Sequence, residues 1–330
     1  MKAIRIHETG SPEVLRLEEV DPPTAGEGQV LIRVAVAGVN YTDVMARQGV
    51  YVTRESTLAL PAVLGTEVAG VVATVGPGVG AELVGRRVIA FVSGGYAEYA
   101  VAPLALVTEL PAAVDLDQGP AFLVQGVTAW QVLQRSGRLE PGQSVLVHSA
   151  AGGVGTLAVQ LAKVFGASTV IATAGTAAKR RIAQELGADA VVDYRSERWP
   201  QEVLAATGGR GVDVVLDAVG GDVGEQSLTC LAPFGRLVTY GVSSQRLASF
   251  AGSQLMRGNH SVVGYWLTSR LALDDDEGPV AKGVVGALLS LAAAGRLRAV
   301  VSEVFPLERA AEAHRALSDR RTVGKVVLTT

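Results

Sequence analysis

Cysteine and histidine are scarce in this chain of 330 residues, which has one cysteine, Cys230, and four histidines, His7, His148, His260 and His314. A single thiol cannot close an intramolecular disulfide, which fits a reducing compartment. A four-cysteine structural zinc site is impossible, few soft ligands of any kind remain, and no metal site is expected. An excess of one charge is missing too. The chain has 29 Lys plus Arg against 32 Asp plus Glu, a formal net charge of −3, so there is no basic field for nucleic acid. The start, Met1-Lys2-Ala3-Ile4-Arg5, lacks the apolar core and small-residue cleavage site of a signal peptide. One uncharged run, Pro141 to Ala162, is long enough to span a bilayer by length alone. Its centre is Gly152-Gly153-Val154-Gly155, with His148, Ser149 and Gln160 nearby, and it reads as strand, loop and helix. A soluble, cytoplasmic protein without a membrane or nucleic-acid partner is expected.

What is present is aliphatic and glycine-punctuated: 48% hydrophobic, 39 glycines and only 5% aromatic residues. The length suggests about two domains. From about residue 140 to 265, β-branched runs recur at Val145–His148, Thr169–Ala172, Ala190–Asp193, Val212–Asp217, Gly235–Tyr240 and Ser261–Tyr265. Helical segments separate the early ones, at Val154–Phe165, Ala177–Leu186 and Trp199–Ala206. Strands alternating with helices of this length predict right-handed βαβ units in an α/β, doubly wound parallel sheet of the Rossmann type. Six strands suit a dinucleotide-binding domain.

The first 110 residues differ. Runs at Val30–Val36, Val68–Val75, Val88–Phe91 and Tyr96–Val101 are separated by glycine and proline turns, which predicts a β-rich, partly barrel-like domain. Beyond residue 267 come an acidic loop, Asp274-Asp275-Asp276-Glu277, helices over 281–294 and 308–318, and a closing strand, Lys325–Leu328. The expected division is residues 1–122 for the β-rich domain, 123–266 for the cofactor domain, and 267–330 returning to the first.

Ala150-Ala151-Gly152-Gly153-Val154-Gly155 follows a strand and opens a helix whose Val154, Leu157, Ala158, Leu161, Ala162 and Phe165 share one face. Glycines there permit a tight turn and let backbone N–H groups approach a pyrophosphate at the positive helix end. A second glycine run, Gly76-Pro77-Gly78-Val79-Gly80, leaves no room for such a helix and reads as a turn between strands. Recognition of an unphosphorylated adenine ribose usually needs an acid about 20 residues beyond the loop. No acid occurs between Gly155 and Glu185, whereas Lys179, Arg180 and Arg181 do. That pattern suits a 2′-phosphate and hence NADPH, with Arg180 and Arg181 read as facing solvent.

Several separated stretches resemble the zinc-free quinone oxidoreductase (zeta-crystallin-like) branch of the medium-chain dehydrogenase/reductase superfamily. The longest is Gly142-Gln143-Ser144-Val145-Leu146-Val147-His148-Ser149-Ala150-Ala151-Gly152-Gly153-Val154-Gly155, followed by Gln160. Others are Gly38-Val39-Asn40-Tyr41-Thr42-Asp43, Gly49-Val50-Tyr51, Gly65-Thr66-Glu67-Val68-Ala69-Gly70, Gln125-Gly126-Val127-Thr128, Asp217-Ala218-Val219-Gly220 and Gly324-Lys325-Val326-Val327-Leu328. The resemblance implies a GroES-like catalytic domain beside the Rossmann domain, and a homodimer formed through an edge strand of the latter. Zinc-dependent relatives carry Cys where this chain has Asn40 and His where it has Thr66, so Glu67 reads as a structural carboxylate.

Without a Lewis acid, acceptors that delocalise charge are favoured, since a quinone or conjugated enone takes up hydride to leave a phenolate or enolate. By resemblance, Asn40, Asp43 and Tyr51 line the substrate cleft, and the Tyr51 hydroxyl can hydrogen-bond the carbonyl or donate a proton. The implied cofactor contacts begin with Thr128, Ala151, Gly152, Gly153 and Val154. Gly175, Thr176, Lys179, Tyr194 and Arg320 are assigned to the 2′-phosphate. Val219, Gly241, Val242, Ser243, Tyr265, Trp266 and Lys325 complete the set. Tyr265-Trp266-Leu267 also resembles a stretch of 2-enoyl thioester reductases, so enoyl thioester reduction stands as the alternative, and a non-catalytic NADPH-binding protein as the third.

Overall fold

The computed structural model describes residues 1–50, 58–271 and 280–330. The expected acidic loop at Asp274–Glu277 and the candidate Tyr51 lie outside the described residues. Two compact units are formed, one from Met1–Val124 with Asp274–Thr330 and the other from Gln125–Leu273.

The first unit is built from short β-branched runs between glycine and proline turns, which suit a half-buried pleated surface better than a helix. Its strands are β1 (Lys2–Ile6), β2 (Arg16–Glu19), β3 (Gln29–Val39), β4 (Ala62–Val63), β5 (Glu67–Val75), β6 (Arg87–Phe91), β7 (Tyr99–Pro103) and β8 (Val107–Glu109), with helix α1 (Tyr41–Gln48) after β3. The second unit carries α2 (Val124–Gln131, continued to Ser136 by a π turn), β9 (Ser144–Val147), α3 (Gly153–Val164), β10 (Thr169–Thr173), α4 (Ala177–Glu185), β11 (Ala190–Val192), α5 (Trp199–Ala206), β12 (Val212–Asp217), α6 (Gly221–Ser227), β13 (Leu231–Thr239), α7 (Gly252–Gly258), β14 (Ser261–Gly264) and α8 (Leu267–Leu271). The chain then supplies α9 (Val280–Ala293), β15 (Val301–Pro306), α10 (Ala310–Ser318) and β16 (Lys325–Thr329) to the first unit.

Among the described residues the first unit holds a sheet ordered β15-β16-β3-β5-β6-β8, with β7 also on β3, and a small sheet β2-β1-β4. Strand β16 runs antiparallel to β3, with Val326 opposite Val39 and Leu328 opposite Ala37, so the chain's last strand lies beside the strand that leads into α1. The core beneath joins Ile4, Ile6, Ile32, Val68 and Tyr96 to Ala310, Ala313 and Leu328. The glycine run Gly76–Gly80 is a turn: the Gly76 N–H donates to the Gln29 carbonyl at 2.9 Å, and a 3-10 turn, Ala81–Leu83, leads into β6.

The second unit is the α/β, doubly wound fold. Its six strands are all parallel, in the order β11-β10-β9-β12-β13-β14. Burial on both faces explains the continuous apolar runs Val145–Val147 and Val214–Leu216 within β9 and β12. The order reverses direction between β9 and β12. In such sheets ligands bind outside the carboxyl ends of the strands at that switch point.

Helix α1 and strand β15 are among the elements that go beyond the sequence expectations. Helix α1 opens at Asn40, whose backbone N–H donates to the Asp43 carboxylate at 2.8 Å, and ends at Gly49 with φ 73°. Strand β15 is parallel to β16 and mostly exposed, so it lacks the alternating pattern that marks a strand in sequence.

Candidate active site

The second unit places its candidate residues in one row, at the carboxyl ends of neighbouring strands. After β9 the chain turns through Ser149, at φ 51°, and enters α3 at Gly153. A Cβ on Gly155 would lie 2.3 Å from the Ser149 carbonyl oxygen, so only glycine lets the helix start this close to the strand. Gly152, Gly153 and Val154 are half-buried and Ala151 is buried. The first N–H groups of α3 have no acceptor within the helix, as at any helix start, and the helix dipole makes that end attractive to an anion.

His148, just before this loop, is a core residue. Its Nδ1 lies 2.9 Å from Thr173 Oγ1 and its Nε2 2.8 Å from Ser227 Oγ. Ser227 already donates to the Val223 carbonyl, so it accepts from His148 Nε2–H, while Nδ1 accepts from Thr173. Burial pushes the imidazole down to about 4, and its ring meets Trp199 edge to face. The side chain is neutral and structural.

At the end of β10, Gly175 and Thr176 lead into α4, where Thr176 Oγ1 accepts from the Lys179 N–H at 3.2 Å. Lys179 and Tyr194 are half-buried. A Cβ on Gly175 would lie 3.0 Å from the Tyr194 hydroxyl, so the tyrosine lies against the bare glycine backbone. Asp193, beside it, is held by Arg180 at 2.8 Å and by Arg195 at 3.1 Å. The Arg195 hydrogen bond, with Arg180 adding to it, draws the carboxyl down to about 2. Arg180 also donates to the Ala174 carbonyl. It therefore departs from the expectation of a solvent-facing side chain, whereas Arg181 is exposed, with Glu185 at 3.9 Å.

The loops after β12 and β13 are tied together. The Ser243 and Ser244 N–H groups donate to the Ala218 and Val219 carbonyls at 3.0 Å, and a Cβ on Gly241 would lie 3.0 Å from the Ala218 oxygen. Asp217, fully buried, accepts from the Val219 and Gly220 N–H groups. Gly241, Val242 and Ser243 are half-buried beside the buried Val219. After β14 come Tyr265 and Trp266, both half-buried, with the Tyr265 N–H on the Thr239 carbonyl. Thr128 is buried on α2.

In the first unit, Asn40, Asp43 and Lys325 belong to a buried polar network. Lys325, wholly buried, sends its ammonium to three oxygens, those of Val39 O, Asn40 Oδ1 and Glu67 Oε1. That departs from the expected cofactor contact, because its three N–H donors are already engaged. Asn40 Nδ2 donates to Glu67 Oε1 at 2.8 Å, and Glu67 Oε2 accepts from the Val124 N–H. Glu67 is thus the structural carboxylate its sequence context implies. Asp43 accepts from the Asn40 N–H and from the Tyr96 hydroxyl, whose oxygen lies 3.1 Å from His314 Nε2. Burial raises the Asp43 carboxyl to about 6 and lowers His314 to about 3. Arg320 is exposed, after α10.

Two family models match the chain: the alcohol dehydrogenase GroES-like domain over residues 26–112 and the zinc-binding dehydrogenase model over residues 153–277. Quinone oxidoreductase 1 of Escherichia coli (strain K12) is 35% identical over 337 residues, covering 98% of each chain. The 2-haloacrylate reductase of a Burkholderia species is 34% identical over 339 residues, covering 98% of this chain and 97% of its own. The crystal structure of an Escherichia coli quinone oxidoreductase complexed with NADPH superposes with a TM-score of 0.91 at 33% identity, covering all of both chains. The chain belongs to the quinone oxidoreductase branch of the medium-chain dehydrogenase/reductase superfamily.

In this quinone oxidoreductase-type enzyme, three further groups emerge only from the fold. Gln125 appeared only inside a motif, although its amide packs on Gly153. Asp193 lies beyond Glu185, the first acid after the glycine loop, and is set beside Tyr194 by β11. Tyr96 and His314 are 218 positions apart, and no local pattern links them.

Proposed function

We propose that the protein is an NADPH-dependent, zinc-independent reductase that transfers hydride to a quinone or a small conjugated enone. The observation that carries the reading is the row of loops at the carboxyl ends of β10, β9, β12 and β13, with a glycine cradle at α3. At the adenine end, Lys179 follows Gly175 and Thr176 in the first turn of α4, and the carboxylate there, Asp193, is already paired with two arginines. Such a corner favours a 2′-phosphate over a ribose hydroxyl that needs an acidic partner. Relatives named as quinone and 2-haloacrylate reductases, and one solved with NADPH, support the same choice.

NADPH supplies the hydride. The chain's own contribution is to bind and orient. Gly152, Gly153 and Val154 present N–H groups to the pyrophosphate, and Gly175, Thr176, Lys179 and Tyr194 take the 2′-phosphate. Val219 and Gly241–Ser243 flank the nicotinamide side with Thr128, and Tyr265, Trp266 and Arg320 complete the set. Tyr51 remains the candidate donor to the acceptor's carbonyl. Asn40 and Asp43 act by holding α1 in place. Independence from zinc is supported by the Lys325 ammonium, which engages Asn40 and Glu67 as a built-in cation. An acceptor of delocalised charge then needs only positioning and hydrogen bonding in a cleft poor in water.

A homodimer through the edge strand β14 belongs to the same reading, supported by the exposed Leu247 and Met256 on the segment leading into it. Among the described residues no helix is long and apolar enough to cross a membrane. A cytoplasmic location is proposed on the single, unpaired Cys230.

The test is NADPH oxidation against 9,10-phenanthrenequinone, 1,4-benzoquinone, an aliphatic enone and crotonyl-CoA. Turnover of the quinones or the enone is expected. Turnover of crotonyl-CoA alone would replace this reading with enoyl thioester reduction.

A further inference from the structure

Gln125, on α2, is nine-tenths buried, and its buried Oε1 has no hydrogen-bond partner among the described residues. Buried side-chain oxygens in folded proteins are nearly always paired, and leaving one unpaired is costly. A methionine or leucine would fill the same space without that cost, so packing alone does not account for an amide here.

The amide's position narrows what would pair with it. An ideal Cβ on Gly153 would lie 2.1 Å from the amide carbon and nitrogen and 2.3 Å from Oε1. The carboxamide therefore lies flat on the first residue of α3, in the space Gly153 leaves by having no side chain. Gly153 serves this contact as well as the turn, and the amide stands at the helix end whose free N–H groups suit an anion. An unmet acceptor calls for a donor, and ionised phosphate oxygens have none. Ribose hydroxyls and the nicotinamide carboxamide do. The adenine end is assigned to Gly175, Lys179 and Tyr194, beyond β10, which leaves the nicotinamide riboside half.

We propose that Gln125 is a cofactor-contact residue whose Oε1 accepts a hydrogen bond from a hydroxyl or amide N–H of the nicotinamide riboside half of NADPH. This rests on the proposed placement of the cofactor at α3. It also gives Gln125 a selective role: the residue distinguishes the complete dinucleotide from its adenine half.

The experiment is calorimetric titration of the full chain and of Gln125→Met and Gln125→Leu with NADPH and with adenosine 2′,5′-bisphosphate, beside the melting temperature of each unliganded protein. Both variants are expected to bind NADPH roughly tenfold more weakly, the worth of one buried hydrogen bond. They should bind the bisphosphate as the parent does and melt no lower. Gly153→Ala, which displaces the amide, should weaken NADPH similarly and add little to Gln125→Met. Unchanged NADPH affinity would overturn the proposal, and so would equal weakening of both ligands with a lower melting temperature. Failure of the parent chain itself to bind NADPH would instead remove the cofactor placement, before any variant is compared.

Discussion

Lys325 on the last strand and Glu67 at the start of β5 form an ion pair in which both side chains are wholly buried. The two strands flank β3, and Asn40, at its end, bonds to both partners. The pair joins the first and last thirds of the chain where α1 begins.

Removing one partner leaves the other charge buried alone. Lys325→Met and Glu67→Gln should each cost about 3–5 kcal/mol of stability at neutral pH, while the double variant recovers a large part of the loss. Urea denaturation at pH 7 measures all three. Additive losses in the double variant would show that the two groups are not coupled.

His148 makes stability depend on acid in a defined direction. Its folded value, about 4, lies below the ordinary 6.5. The unfolded chain therefore takes up the proton first, and stability from this group falls as pH drops from about 6.5 to about 4. The full effect is about 3 kcal/mol. His148→Gln should be less stable than the parent at pH 7.5, with the gap closing by pH 4.5. A constant gap would show that His148 does not titrate this way.

Lys179→Glu should weaken NADPH binding about tenfold or more, the worth of a charge-assisted hydrogen bond, and leave NADH affinity nearly unchanged. Calorimetry with both cofactors reads the ratio. Equal effects on the two would remove Lys179 from the 2′-phosphate.

Gly175→Ala places a methyl group 3.0 Å from the Tyr194 hydroxyl. The tyrosine must shift, and affinities for NADPH and adenosine 2′,5′-bisphosphate should fall together by a few-fold. Unaltered binding of both would detach Tyr194 from the site.

Much of this was legible in sequence because it is local. The six parallel strands show as β-branched runs with helices between them, and the glycine loop shows as the break between β9 and α3. Helix α1 is hard to read because Tyr41–Gln48 is only two turns long and sits among β-rich runs, although its signals are present: Asn40 as the N-cap with Asp43 three residues on, and Gly49 as the left-handed cap. The exposed edge strand β15 offered no alternation to read. The motif around Asn40 marked a site, but its partner Lys325 lies 285 positions away, and spacing carries no record of such a contact. The same holds for Gln125 on Gly153 and for Arg180 on Asp193, where the fold alone decides which side chains meet.

The central claim is hydride transfer from NADPH to a charge-delocalising acceptor without a metal. It is tested most directly by NADPH oxidation with 9,10-phenanthrenequinone after exhaustive dialysis against a chelator. The account predicts turnover equal to that of the undialysed protein and unaffected by added zinc. Activity that vanishes on dialysis and returns with zinc would contradict it.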